Sequence, residues 1–418
     1  MKAKKMVKFS HKSHLASFGI TAMALACAVW VGFHANFSAL LLSTLLLTLT
    51  LSLLFCKKYN CTGLTINRLL VGALFIFSSF TKGVDPLGTK YKMLDYFSAY
   101  GIQWLNDAAL ALAVTMILAE FAVGICLFLN MLPRLATLGA TLLMMFFTAT
   151  TYFDAMYDLV PDCGCFGTAI KMSNWQTFFK NLIIDSVLIP LIFNNKSLVN
   201  KRVTKLGQWL FAVVFAAGFV GFEIYNIRHL PVIDFMDWKV GKDMTPEDYD
   251  AGKIFVTYRN KETAETQEFE SPNYPWNDSV WMSRWGFVSQ RTVGGSQTLG
   301  FAMLDAEGED FTHILFETEN LYVFVAPYID EFTDEDFSLC RKMIEVVENE
   351  GAEYIWLTAM LPDYIETLNE DYPMFYDVYF GDELELKTMV RSNPGLMLID
   401  NGLIVNKWAK IDFPIKKQ

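Results

Sequence analysis

Two cysteines separated by one glycine, in Asp162-Cys163-Gly164-Cys165-Phe166-Gly167, are the residues whose types and spacing point most directly to chemistry. Cysteines two positions apart can be bridged only where the backbone between them turns sharply, and glycine makes that turn at the least steric cost. A disulfide closed over so short a span is strained, and strained, exposed disulfides are the exchange-prone ones. Three readings fit the pattern: a redox-active or readily oxidised pair, two ligands of a metal site, and a structural turn. No histidine stands nearby to complete a zinc site, and the chain carries no nucleotide loop or haem motif. No metal-ligand set is assigned.

The elements that must position this loop are apolar. Of 418 residues, 53% are hydrophobic, too many for an ordinary soluble domain. Seven stretches have the character of membrane spans: Leu15–Phe33, Phe37–Phe55, Asn67–Phe80, Leu105–Leu129, Leu132–Phe153, Phe178–Phe193 and Leu206–Tyr225. The third and sixth fall short of the ~20 residues a bilayer requires and must recruit flanking residues. The first follows a basic run and contains Ala24-Leu25-Ala26-Cys27, but its apolar character continues through Val31, so it reads as a retained helix.

Charge divides the chain. There are about 19 Lys/Arg and about 9 Asp/Glu up to residue 230, and about 15 and 36 after it. A membrane half with basic flanks thus precedes an acidic soluble tail, and that tail does not bind nucleic acid by neutralising phosphates. With seven helices, the basic N-terminus, the Lys57/Lys58/Arg68 region, Arg134 and the loop carrying Lys196, Lys201, Arg202 and Lys205 share one face. The positive-inside rule makes that face cytoplasmic. The 82–104 loop, the CGC loop and the tail then lie together on the opposite, oxidising side. Trp104, Trp175 and Trp209 stand at helix ends, as interfacial aromatics do.

Intramembrane charges are the other chemical candidates. Glu120 lies near the middle of its apolar segment, where a charge must be neutralised, paired or open to a polar cavity. Proton uptake during dithiol oxidation is one task for it; a neutral acid hydrogen-bonding between helices is the alternative. Asp185 is expected to meet Lys180 or interfacial water. Cys27 and Cys126 read as small core residues. The run from Asn67 to Gly88 is an apolar helix dotted with small residues, ending in Lys82, Asp85 and a Pro-Leu-Gly turn at which Pro86 stops the helix.

With Glu120-Phe121, Arg134 and the CGCFG loop, this run resembles the DoxX/MauE superfamily of bacterial inner-membrane proteins from about Asn67 to Tyr225. That superfamily is associated with thiol, sulfur or quinone-linked redox processes and with maturation of disulfide-containing periplasmic proteins. The resemblance implies a multi-pass inner-membrane protein and makes Cys163 and Cys165 the candidate exchanging pair, with Lys82, Asp85, Glu120 and Asp162 supporting. A quinone acceptor enters only by analogy with disulfide-forming membrane enzymes.

The tail alternates strands and polar turns. Lys253–Tyr258 reads as a strand, and the segment from Pro275-Trp276 to Trp285-Gly286 packs either on the bilayer or in a core. Leu321–Ala326 reads as a strand, and Asp334 caps a helix to about Asn349. A strand at Tyr354–Thr358, a helix from Pro362, a helix near Leu384–Val390 and a hairpin turning at Asn401-Gly402 follow. This order resembles a thioredoxin-like domain, and Phe301–Gly308 resembles the entry segment of its peroxiredoxin/TlpA branch. The resemblance makes Pro394 the candidate cis-proline and Asn393 with Pro394 the candidate partner-binding edge. The position of the expected Cys-x-x-Cys holds Ala326-Pro327-Tyr328-Ile329-Asp330-Glu331, and Cys340 comes too late.

The expected architecture is an α-helical polytopic membrane bundle with a soluble α/β tail: residues 1–66 with two helices, a DoxX/MauE-like core at 67–227, a β-rich connecting segment at 228–286, and a degenerate thioredoxin-like domain at 287–418. Three functions fit: thiol–disulfide exchange assisting exported proteins, a non-catalytic envelope scaffold that binds a partner protein, and a transporter using Glu120 and Asp185. The absence of an internal repeat weighs against the third.

Overall fold

A computed structural model describes residues 61–418, apart from 161–163, 171, 195–199, 201, 246–252, 262, 264, 271–274, 276–278, 294–300 and 416–418. The first two expected helices and Cys27 lie outside the described residues, as do Asp162 and Cys163. The chain divides into two compact units, 1–235 and 236–418.

In the first unit, among the described residues, five helices are long and apolar enough to cross a membrane, which makes this a multi-pass membrane protein. They are α1 (Cys61–Val84), α3 (Ala109–Phe128, with a 3-10 turn at Gln103–Ala108 before it), α4 (Pro133–Tyr157), α5 (Asn174–Phe193) and α6 (Lys205–Arg228). As expected, the two short apolar runs recruit their flanks. Leu138, Leu142, Met145, Phe146, Val213 and Val214 are exposed along α4 and α6, a surface that suits lipid rather than water.

The stretch after Val84 corrects the sequence reading. Rather than a loop, Pro86–Ala99 forms a further helix, α2, whose first turn Asp85 caps by accepting a hydrogen bond from the Gly88 N–H at 2.8 Å. Pro86 therefore ends one helix and occupies the first position of the next, where its fixed φ and missing N–H cost nothing. Punctuation by proline and glycine, with little apolar excess over fourteen residues, hid this helix.

Helices α1 and α3 run antiparallel in close contact, and two glycines permit it. A Cβ on Gly72 would come within 2.7 Å of the Phe128 backbone nitrogen, and one on Gly124 within 2.8 Å of that of Ile76. Near the start of α1, the buried Arg68 guanidinium donates to the carbonyls of Leu127 and, at 2.9 Å, Phe128. Those carbonyls end α3 and have no partner within their own helix, so a cation there satisfies both a hydrogen bond and the helix dipole.

The first unit also holds a short strand, β1 (Cys165–Thr168); in the second unit, strands β2 (Lys253–Asn260), β3 (Thr266–Glu270) and β4 (Trp285–Val293) form an antiparallel sheet in the order β3-β2-β4. Between the last two, Trp281 of the short helix Ser279–Arg284 packs on Tyr258, Phe269 and Trp285, so this aromatic belongs to its own sheet's packing.

A five-stranded mixed sheet follows, built from β5 (Leu321–Val325), β6 (Tyr354–Thr358), β7 (Val378–Phe380), β8 (Gly395–Asp400) and β9 (Leu403–Ala409) in the order β7-β6-β5-β8-β9. Strands β5, β6 and β7 are parallel; β8 runs antiparallel to β5 and turns into β9. Every residue of β5 is buried, as an apolar strand covered on both faces must be.

Helix Asp334–Glu350 buries Phe337, Cys340, Met343, Ile344 and Val347, spaced by three and four residues, against Phe324 and Trp356. Its cap is Thr333 rather than Asp334: the Thr333 hydroxyl accepts from the Asp336 N–H, and Asp336 Oδ2 accepts from the Thr333 N–H at 3.0 Å. The helix Pro362–Asp371, the helix Glu383–Met389 and the Asn401-Gly402 turn follow expectation, and the Asn393–Pro394 peptide is cis.

Residues 236–245, polar enough to resemble a tether, are built into this unit. Trp238 is fully buried, the Lys407 ammonium donates to its carbonyl at 2.6 Å, and Asp243 pairs with Leu403 of β9.

Candidate functional site

Cys165 opens a four-residue extended segment, Cys165–Thr168, at the end of α1. A turn over Gly164–Gly167 places both glycines at positive φ, +60° for Gly164 and +57° for Gly167, and the Gly167 N–H closes it on the Gly164 carbonyl at 2.9 Å. Only glycine adopts that backbone readily. A side chain at 167 would also approach the Thr81 carbonyl to 3.2 Å. The loop is thus fitted to the last turn of α1. Phe166 is buried there, against Phe77 and beneath the Lys180 ammonium, 4.6 Å from its ring centre.

Beside Cys165 lies a buried ion pair. Lys82 Nζ is 2.6 Å from Glu120 Oε1, and the two side chains are 6% and 1% exposed. Charges so far from water persist only as a hydrogen-bonded pair. This answers the question raised by Glu120 alone: it is paired. Lys82 also faces the Phe147 ring at 5.2 Å. Ser78, one turn before Lys82, connects the pair to the loop. Its hydroxyl lies 2.8 Å from the Cys165 carbonyl oxygen and 3.1 Å from Glu120 Oε2. The glycine crossing of α1 and α3 brings Glu120 within reach of both.

A cavity of about 30 Å³ adjoins Ser78, Lys82, Glu120, Cys165, Lys180 and Asn181. That is room for about one water; an apolar cavity that takes a benzene ring measures about 150 Å³. A quinone ring does not fit it, and no step is assigned to one. Among the described residues, no group of three or more His, Cys, Asp or Glu side chains is arranged to hold a metal ion.

Of the site residues expected from sequence, Cys165, Lys82 and Glu120 come together. Asp85 acts at the start of α2 as its cap. Asp162 and Cys163 fall outside the described residues. Asn393 and Pro394 belong to the other unit, where the Asn393 amide donates to the Tyr328 carbonyl at 2.7 Å and accepts from the Tyr328 N–H at 3.4 Å. Tyr328 is also held by Glu383, which accepts from its hydroxyl, and by Lys387, whose ammonium lies 4.9 Å from its ring centre.

Asp185 does not meet Lys180, one of its two expected partners. It accepts from the Thr148 hydroxyl at 2.8 Å, while Lys180 turns to Phe166. Residues five apart on a helix face different ways, which separates the two. Cys126 is a buried core residue, as read from sequence.

Sequence reasoning passed over Ser78, a hydroxyl among many in an apolar run. It also passed over Asp154 and Glu223. Asp154 is fully buried and accepts from the Tyr96 hydroxyl at 2.6 Å; Glu223 is fully buried in α6. The signal that singled out Glu120, one acid in an apolar helix, was present for both.

Residues 60–193 match the family model described as methylamine utilisation protein MauE. No curated protein and no solved structure matches the chain. The matched segment contains α1 to α5 and the CGC loop and stops at the end of α5. The membrane core of this multi-pass protein is therefore similar to the MauE family.

Proposed function

We propose that the chain is a thiol-redox membrane protein in which Cys163 and Cys165 exchange a disulfide with exported or envelope proteins on the exoplasmic face. The observation that carries this reading is the position of Cys165: half-buried, its loop is held by glycine turns against a buried Lys82–Glu120 pair and Ser78. A turn with no chemical task does not need a buried ion pair beneath it. The similarity of residues 60–193 to the MauE family supports it further.

In the exchange, a thiolate of the partner attacks one sulfur of the Cys163–Cys165 disulfide and gives a mixed disulfide and one free thiolate in the loop. The partner's second thiolate then attacks the mixed disulfide. The partner leaves with its own disulfide, and the loop retains two thiols, having gained two electrons and two protons.

The tail is read as a thioredoxin-like domain. Support comes from its sheet order, the parallel β5–β6 pair, the antiparallel β8–β9 hairpin and the cis-Pro394 beside the 326–331 loop. That loop has no cysteine, and Cys340 is fully buried, so the tail's task is to dock a partner near Asn393 and Pro394. The same facts favour a second reading, in which the whole chain is a non-catalytic envelope scaffold. The basic loops support a cytoplasmic N-terminus and an exoplasmic tail in a bacterial inner membrane.

Alkylation gel shift in cells separates the readings. Under the exchange reading, Cys163→Ser or Cys165→Ser traps mixed disulfides with exported proteins and the wild-type pair is found in both oxidation states. A pair fixed in one state, with no trapped partners and no effect of the double variant, establishes the scaffold.

A further inference from the structure

We infer that Ser78 is a positioning residue that ties Cys165 to the Lys82–Glu120 pair; the inference rests on the exchange reading for its purpose but not for its test. A serine hydroxyl donates one hydrogen, and here two acceptors lie within reach, the Cys165 carbonyl at 2.8 Å and Glu120 Oε2 at 3.1 Å. Ser78, Cys165 and Glu120 all line one cavity, with room for about one water.

Glu120 is already served at its other oxygen by Lys82, 2.6 Å away. The nearer acceptor is the loop carbonyl, so the hydroxyl proton belongs chiefly there. This bond, from the last turns of α1 to the backbone of the loop, is a tether of Cys165 to α1. Because Glu120 Oε2 competes for the same proton, the strength of the tether depends on how firmly Lys82 holds Glu120. A change at the ion pair is thereby passed to the backbone of the cysteine with no movement of a helix. Ser79, the next residue, serves as an internal control: its hydroxyl donates to Ile76 of its own helix at 3.0 Å.

The test is the rate at which a maleimide reagent alkylates Cys165 in the full-length protein in native membranes. A Cys163→Ser background removes disulfide exchange from the measurement. Ser78→Thr and Ser78→Val have nearly the same shape and differ in the hydroxyl. The expected result is that Ser78→Val and Ser78→Ala raise the rate roughly fivefold, the worth of one net hydrogen bond, while Ser78→Thr restores the wild-type rate and Ser79→Ala leaves it unchanged. Equal rates for the Thr and Val variants overturn the inference. So does an increase for Ser79→Ala matching that for Ser78→Ala, since the effect is then general loosening of α1. A fixed redox state of the pair in cells refutes the exchange reading and leaves this comparison standing.

Discussion

Lys82 and Glu120 meet at 2.6 Å across two antiparallel helices, although 38 residues separate them and neither has more than 6% of its side chain exposed. Each is acceptable in the bilayer only because of the other. Removing one partner strands a buried charge, which costs ~3–5 kcal/mol, whereas replacing both by apolar groups of similar volume is close to neutral. Lys82→Met and Glu120→Met alone are therefore expected to lower the midpoint of unfolding in detergent micelles sharply, and the double variant to recover most of the loss. Additive losses would show that the pair is not coupled.

The crossing that creates the pair rests on Gly72 and Gly124. Gly124→Leu forces a side chain into the backbone of α1 and is expected to destabilise by ~1–3 kcal/mol or more. Gly218→Leu, on α6 where a Cβ would meet nothing within 4 Å, provides the comparison and should be tolerated. Thermal unfolding of the two variants in the same detergent checks the difference.

In the tail, Cys340 is buried and its thiol is pushed well above the usual range, first by desolvation and then by Asp336. The thiolate is the reactive form. Cys340 should resist alkylation at pH 8 in the native protein and react only once the chain is denatured, as peptide mass analysis would show. Rapid labelling in the native state would place a reactive thiol in the tail after all.

Burial acts to raise the pKa of Asp336, but hydrogen bonds from Lys410 and Thr333 outweigh it and hold the carboxyl below its ordinary value. A carboxyl depressed in the folded state contributes stability above its unfolded pKa, about 3.9, and loses it as pH falls through the folded value. Lys410→Met should speed amide exchange across residues 334–350 at pH 7, with the difference shrinking as the medium is acidified below the unfolded value. A difference that grows in acid would reverse the assigned sign.

Thr333→Ala removes the cap of the same helix and is expected to cost ~1 kcal/mol at neutral pH, read as faster exchange in its first turn, with only the part due to the Thr333–Asp336 hydrogen bond lost in acid. An effect confined to neutral pH would assign the loss to Asp336 rather than to the cap.

Much of this was legible in the residues themselves. Three of the five described spans announced themselves by length and apolarity and two by apolarity alone, the Asn401-Gly402 hairpin by its turn dipeptide, and the helix 334–350 by the cap residue at its start. The MauE-like character of residues 60–193 was legible in the CGCFG loop and its neighbours. What could not be read depends on partners distant in sequence. That Lys82 meets Glu120 follows from where two glycines let helices cross, which no local window contains. Helix α2 was masked because its first residues, Pro-Leu-Gly, carry the signature of a turn. Trp238 was hidden by acidic and basic neighbours, though one tryptophan can anchor a segment otherwise polar.

That anchored segment has a further consequence. Backbone bonds from Gly241 N–H to Ile404 O and from Ile404 N–H to Lys242 O, at 2.8 and 3.0 Å, cover the start of β9, the outermost strand on one side. On the other side Leu304 exchanges both backbone bonds with Phe380 of β7, at 2.9 and 2.7 Å. A sheet whose outer strands are partnered in this way offers few open rows of donors and acceptors to a neighbouring chain. That closure protects the tail from stacking edge to edge onto copies of itself.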